Sequence, residues 1–144
     1  MNELEQYLTD ELDKFNKTYD AGYHVSRYMN KELQKRWKKD QKSMDQYWQS
    51  IKSIDDVQRS VNIFIGTVES FENVSRGFIE DAYNMDLSLY KAVTAIHKMK
   101  QCYDMANDFD FYQFGKDDID QMFETLYSGL KRMEKVNMNR AYQD

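Results

Sequence analysis

Residues 3–51 read ELEQYLTDELDKFNKTYDAGYHVSRYMNKELQKRWKKDQKSMDQYWQSI, and this stretch decides the fold. At 100° per residue its large apolar side chains fall on one narrow stripe of a helix. The stripe passes through Asp20-Ala21-Gly22 without the change of phase that a break would normally produce. Its members are Leu4, Leu8, Phe15, Tyr19, Leu33, Trp37, Met44, Trp48 and Ile51. We therefore predict one helix from about residue 3 to residue 51, about 70 Å long at 1.5 Å per residue.

The chain as a whole carries few signals that would stop a helix. Its 144 residues include no proline, which breaks helix interiors, and only five glycines. A turn is predicted near Lys52-Ser53, because Ser53 followed by Asp56 has the pattern of a helix N-cap. A second apolar stripe follows and predicts a continuous or gently kinked helix over 54–106. The alternative is a pair of helices divided near 84–86.

The last helix is predicted over 116–137. Gly115 precedes an acidic run, and acidic residues suit the positive end of the helix dipole. A short frayed tail is expected at 138–144. The sequence therefore predicts an all-α fold: an elongated antiparallel hairpin or bundle of three to four helices, similar to a coiled coil, in a single domain over 1–144.

The composition limits the cellular locations and the classes of binding partner that we expect. The net charge of −5 argues against a chain whose whole surface binds nucleic acid or anionic lipid. No apolar run approaches the ~18 residues that a membrane span needs, and acidic residues occupy the place of a signal peptide's apolar run. Cys102 is the single cysteine, which excludes an internal disulfide, so we expect a cytoplasmic protein. The excess of lysine over arginine hints at a low-GC bacterium or its phage.

We expect no enzymatic activity, no metal and no cofactor. His24 and His97 are the two histidines, and Asp20 lies one turn before His24. A helical di-iron site would need Glu-x-x-His on each of two helices, and the sequence has no such motif. It has no glycine-rich phosphate loop, and nothing marks Cys102 as an activated nucleophile.

The aromatic content points to contact with another protein. Aromatic residues make up 15% of the chain, with eleven tyrosines, and nine methionines accompany them. These residue types are enriched at protein interfaces, although the wide seams of a narrow helical rod would also absorb them. An aromatic cluster in an apparent loop either plugs the end of the hairpin or faces a partner. The candidate partner-binding residues are Phe109, Phe111, Tyr112, Phe114, Tyr28 and Tyr47.

These features predict a non-enzymatic protein–protein interaction module. Such a module would serve as an adaptor, an assembly or virion component, or a small inhibitor of a larger partner. Self-association or a stable complex with a protein partner is expected. The alternative is nucleic-acid binding through a basic helix face formed by Lys31, Lys35, Lys38 and Lys42, which could contact phosphates at helical spacing. An ordinary solvated helix face also fits these lysines.

One segment resembles a known family. Trp48-Gln49-Ser50, just before the predicted turn, resembles the Trp-x-Gly turn of small secreted WXG100-type proteins, with serine in place of glycine. The resemblance implies a secreted hairpin of two long helices. The Tyr-x-x-x-Asp/Glu secretion motif that follows the second helix in that family is missing, and only Tyr7 to Glu11 has this spacing.

Overall fold

The computed structural model describes residues 3–22, 31–73, 78–101 and 115–141, and within these ranges the fold is all-α, as predicted. The helices of the described residues are α1 (Glu3–Gly22), α2 (Lys31–Lys42), α3 (Met44–Ser50), α4 (Ile54–Glu72), α5 (Phe78–Gln101) and α6 (Lys116–Ala141).

The helices α1, α4 and α6 run in the same direction. In α4, Phe64 packs against Gly129 of α6, and Glu72 further along α4 binds Arg132 further along α6. On the other side of α6, the Lys116 ammonium lies 4.9 Å from the ring of Tyr7. The α1–α6 contacts continue in the same order to Phe15 and Tyr127, whose ring centres are 5.5 Å apart.

The helix α5 runs in the opposite direction, and α2 and α3 run with it. Only residues 73–77 separate α5 from α4, and the two helices pack along their lengths. Trp37 of α2 packs against Tyr90 near the middle of α5, and the Lys98 ammonium near its end donates a hydrogen bond to the Trp48 carbonyl of α3. The short helices α2 and α3 therefore form one rod, interrupted at Ser43, that lies along α5.

The prediction of a single helix over 3–51 is wrong. The Tyr19 hydroxyl bonds Asp86, while Trp37 packs against Tyr90, one turn further along α5. In a continuous helix Tyr19 and Trp37 would lie about 27 Å apart. Instead α1 and the α2–α3 rod run antiparallel, and both turn their apolar stripe towards α5. An apolar stripe records which face of a helix is buried, and it keeps its phase when the chain folds back on itself.

The end of α3 lies close to where the sequence predicts it. Ile51 has extended backbone after α3, and Ser53 caps α4. The Ser53 hydroxyl accepts from the Asp56 amide at 3.3 Å, while the Asp56 carboxylate accepts from the Ser53 amide at 3.1 Å. This reciprocal pair is a capping box, which satisfies two amide groups that a helix start leaves without helical partners. The segment Trp48-Gln49-Ser50 precedes this turn, but the helical rods form a bundle and not the two-helix hairpin that the WXG100 resemblance implies.

The predicted helix over 54–106 is divided at a different place. The helix α4 ends at Glu72, and α5 passes without a break through 84–86, where the alternative prediction placed a boundary. Asp86, expected near a helix start, is instead a buried acceptor inside α5. The final helix begins at Lys116 as predicted and continues to Ala141, which makes most of the predicted tail helical.

The core lies between α1, α4, α5 and α6. The apolar stripe of α4 is buried as predicted, and its members are Val57, Val61, Phe64, Val68 and Phe71. Leu8, Leu12 and Phe15 of α1 join it. Among the side chains that the structure describes, the α2–α3 rod contributes much less, because Met44 is buried while Trp37 and Trp48 are only half-buried. The α2–α3 rod therefore packs on the bundle less tightly than the other helices do.

Candidate binding cleft

An open cleft of about 540 Å³ separates α1, the α2–α3 rod and α5. This volume falls within the range of small-molecule pockets, about 300–1,000 Å³. Its aromatic lining comes from Phe15, Tyr19, Trp37, Trp48 and Tyr90. Its charged and ionisable lining comes from Asp45, Asp86 and His97.

One wall of the cleft is fixed by the ring of Trp37. This ring meets Tyr83 edge to face at 5.9 Å between centres and Tyr90 at 5.5 Å. The Tyr83 hydroxyl donates to the Asp40 carboxylate, and the Arg36 guanidinium lies 4.6 Å from the Tyr83 ring centre. Burial and the Asp40 carboxylate raise the pKa of Tyr83 well above its usual value, so the phenol stays protonated and continues to donate. These contacts hold α2 on α5 and keep Trp37 at the cleft.

The opposite end of the cleft is formed by Trp48. Its backbone carbonyl accepts from the Lys98 ammonium at 2.8 Å, and the same ammonium lies 5.1 Å from the centre of its ring. The neighbouring Tyr47 points elsewhere, because its hydroxyl bonds the hydroxyl of Ser60 on α4. The rod is therefore attached to the bundle at both ends, with the cleft between the two attachments.

Two acidic side chains belong to the lining of the cleft. Asp86 is only 3% exposed and accepts a 2.7 Å hydrogen bond from Tyr19, while Asp45 is exposed at the rim. Burial, together with the charge of Lys100, lowers the pKa of His97, so its imidazole is neutral at pH 7. No lysine or arginine belongs to the lining in the described part of the chain.

The structure places the sequence-predicted site residues in three different situations. Tyr47 is half-buried between α3 and α4, with its hydroxyl bonded to Ser60. All four lysines of the basic face are exposed on α2: Lys31, Lys35, Lys38 and Lys42. The remaining candidates lie outside the described residues: Tyr28, Phe109, Phe111, Tyr112 and Phe114.

Sequence reasoning missed the cleft itself. The apolar stripe predicts that Tyr19, Trp37 and Trp48 lie on the buried face of a helix. In the structure all three are half-buried and border the cleft. Their spacing could not separate a buried position from a half-buried one. That difference depends on how far the α2–α3 rod stands from α1, which is a property of the assembled bundle.

Comparisons with known proteins identify no relative of this chain. No family model, curated protein or solved structure matches the chain. Across the described ranges, no group of three or more histidine, cysteine, aspartate or glutamate side chains is placed to hold a metal ion. None of the helices in those ranges combines the length and the apolar run that crossing a bilayer requires.

Proposed function

We propose that this protein is a non-enzymatic protein–protein interaction module whose contact surface is the cleft between α1, the α2–α3 rod and α5. The observation that carries the proposal is the half-burial of Trp37 and Trp48 at an open cleft, beside a core in which the large apolar side chains are buried. Trp and Tyr at such positions are the residues that most often dominate binding energy at interfaces.

The occupant we propose is a segment of another protein that inserts side chains into the cleft. The space of about 540 Å³ is open to the outside and accommodates a few side chains of a partner. The cleft walls are held by bonds within the bundle, such as Lys98 to Trp48 and Tyr83 to Asp40, so little ordering is required when the partner binds. The proposal includes a cytoplasmic location and roles as an adaptor, an assembly component or an inhibitor.

A variant that fills the cleft tests this function. Thr94 is half-buried on α5 and lines the cleft, so Thr94→Phe would occupy the space without removing a core side chain. Ile63 is 57% exposed on α4 and is not part of the cleft lining, so Ile63→Phe is the matched control. Each tagged protein is used for affinity capture from cells, and its mass is measured by light scattering.

The expected result is a partner that is captured by the wild type and by Ile63→Phe but not by Thr94→Phe. Equal capture by all three proteins would exclude the cleft as the contact surface. A strict monomer that captures no partner would exclude an interaction module altogether. A second copy of this chain at the cleft would instead appear as a dimer that Thr94→Phe dissociates, which replaces the proposed heterologous partner with self-association.

A second candidate function is nucleic-acid binding through α2. The observation that favours it is the exposure of the whole basic face, at Lys31, Lys35, Lys38 and Lys42. Asp40 is an acidic residue within the same helix. Its carboxylate accepts a hydrogen bond from the Tyr83 hydroxyl, and its Oδ2 lies 4.0 Å from Nε of Arg36. Each phosphate contact contributes a slope of roughly 0.7–0.9 to the fall of log affinity with log salt.

Reversing the charge of the lysines on α2 tests whether this face binds nucleic acid or is only exposed to solvent. The variant Lys35→Glu, Lys38→Glu, Lys42→Glu is compared with a control that reverses three exposed lysines elsewhere: Lys17, Lys52 and Lys131. Both variants change the net charge equally. Binding to a fluorescent oligonucleotide should be lost only in the α2 variant, and the salt slope should fall with it. Equal losses in both variants would indicate nonspecific attraction and contradict a site on α2.

A further inference from the structure

We propose that two copies of this chain form a dimer by exchanging α1. In the dimer, α1 and α2 of each copy join into one continuous helix, and α1 packs on α5 and α6 of the second copy. This inference goes beyond the proposed function, because the exchanged surface lies in the core of the bundle and not in the cleft. Three observations lead to it: the phase of the apolar stripes, the separation of α1 from the α2–α3 rod, and the directions of the helices.

The apolar stripe of α1 keeps its phase in the α2–α3 rod. Phe15 and Trp37 are 22 positions apart, which is a rotation of only about 40° at 100° per residue. A connection outside a helix can join two helices at any relative rotation, so the folded-back chain does not require this agreement. A continuous helix does require it, and residues 23–30 contain neither the proline nor the glycine that would oppose one.

The contacts of α1 with the bundle can be made equally by α1 of a second copy. The ring of Phe15 lies 5.5 Å from that of Tyr127 and 6.5 Å from that of Phe123, measured between centres. The Tyr19 hydroxyl donates to Asp86. An open cleft of about 540 Å³ lies between α1 and the α2–α3 rod. Exchange therefore preserves the core contacts of α1, which is why it is a low-cost route to a dimer.

The helix directions permit this exchange. The α2–α3 rod runs parallel to α5, and α1 runs antiparallel to it. A straight continuation of α2 before Lys31 therefore extends beyond the end of the bundle at which α5 begins. In a second bundle, placed end to end with the first by a twofold axis, α5 has the opposite direction. The extended α1 is then antiparallel to that α5, as in the folded-back chain.

The exchange makes the cleft a site that is shared by two chains. Its Phe15 and Tyr19 side chains then come from one copy, while Trp37, Trp48 and Tyr90 come from the other. The cleft itself stays open in this dimer, so Thr94→Phe should leave the dimer intact. A dimer formed by insertion of a second copy into the cleft would be dissociated by the same substitution.

Spin labels at two exposed positions distinguish the exchanged chain from the folded-back one. Gln6→Cys and Gln46→Cys carry the labels in a Cys102→Ser background, since Cys102 is the single cysteine. In the continuous helix the labelled residues are about 60 Å apart, at 1.5 Å per residue. In the folded-back chain both lie near the end of the bundle where α1 begins, about two helix diameters or about 20 Å apart.

The labelled chain is mixed with an excess of unlabelled chain, unfolded in urea, and refolded at low and at high protein concentration. Light scattering after size-exclusion chromatography identifies monomer and dimer, and pulsed electron–electron double resonance measures the label distance in each. The dimer fraction should grow with the protein concentration at refolding. It should persist after dilution, because α1 must leave the core of the other copy before the dimer dissociates. The label distance should be about 60 Å in the dimer and about 20 Å in the monomer.

Proline at a helix start provides a matched pair of variants. Lys31 is the first residue of α2, where the folded-back chain tolerates proline, but it lies inside the continuous helix of the dimer, which proline breaks. Lys116 is the first residue of α6 in both forms, and Lys116→Pro removes the same charge. Lys31→Pro should lower the dimer fraction at least about tenfold, while Lys116→Pro should leave it at the wild-type level. Circular dichroism checks that each variant monomer is folded.

The inference is overturned by a chain that stays monomeric at every refolding concentration, by a dimer whose labels remain about 20 Å apart, or by equal effects of the two proline variants. If Lys31→Pro does not fold, the label distance in the dimer without that substitution decides the question alone. A dimer that Thr94→Phe dissociates would also refute the exchange, and it would assign the association of the two copies to the cleft.

Discussion

The contact between α4 and α6 predicts that one Gly→Ala substitution destabilises the protein while another stabilises it. Gly129 of α6 lies against the ring of Phe64, which is completely buried. A Cβ atom at position 129 would lie 2.7 Å from Cζ and 3.3 Å from Cδ2 of that ring. Gly66 of α4 has no heavy atom within 4 Å of the corresponding position. The two glycines therefore differ in packing while sharing a helical backbone.

The magnitudes follow from the distances. Carbon atoms pack at about 3.5–4.0 Å, so a methyl group at position 129 would be about 1 Å too close to Phe64. Overpacking of a core costs about 1–3 kcal/mol, and alanine recovers about 1 kcal/mol through its higher helix propensity. We expect Gly129→Ala to lose about 1 kcal/mol and Gly66→Ala to gain about 1 kcal/mol. The resulting difference of about 2 kcal/mol corresponds to roughly 4–8 °C in Tm for a domain of this size.

Urea unfolding followed by circular dichroism measures both variants against the wild type. The reasoning is refuted if the two substitutions change the free energy of unfolding in the same direction by similar amounts. A third variant tests the cause directly, because Phe64→Leu removes the ring that the new methyl group would meet. In that background Gly129→Ala should become neutral or stabilising. If it remains equally destabilising, contact with Phe64 is not the reason.

Three further predictions concern polar contacts. Glu72→Gln should cost about 0.5 kcal/mol at pH 7, because Glu72 pairs with Arg132 at 3.0 Å. The hydrogen bond from Arg132 lowers the pKa of Glu72, so this difference should disappear as the pH falls below about 4, and a constant difference would contradict the pairing. Ser53→Ala should cost about 1 kcal/mol in urea unfolding through loss of the α4 capping box, and an unchanged midpoint would refute that role. Tyr19→Phe should cost about 1–2 kcal/mol, because it removes a donor to buried Asp86, and no loss in thermal unfolding would contradict the contact.

The sequence is most informative about which face of each helix is buried. The stripe on α4 is buried from Val57 to Phe71, and the cap at Ser53 lies where the residue pattern predicts it. Both features depend on residues close together in the chain, so the sequence alone is enough to predict them. The reversal between α1 and the α2–α3 rod was missed because stripe phase carries no information on the direction of the helix axis. The cleft was missed for a related reason, since half-burial of Trp37 and Trp48 depends on the spacing between helices.

The helix α5 shows why a chain without proline still folds back on itself. A helix with one apolar stripe needs one neighbour, but α5 buries residues around most of its circumference. These include Tyr83, Met85, Leu89, Ala92, Ala95, Ile96 and Met99. Such a helix must be surrounded, and α5 contacts α1, α3, α4 and α6.

A hairpin of two long helices would leave much of this surface in water, at a cost of about 25 cal/mol per Å² of apolar area. Folding the first fifty residues into α1 and the α2–α3 rod supplies two neighbours for α5 where a continuous helix would supply one. In the sequence, the small side chains of Ala92 and Ala95 indicate a second buried face on α5, because they permit a neighbouring helix to approach closely. The same arrangement creates the cleft: α1 and the α2–α3 rod both pack on α5, and the space between them is bordered by Tyr19, Trp37 and Trp48.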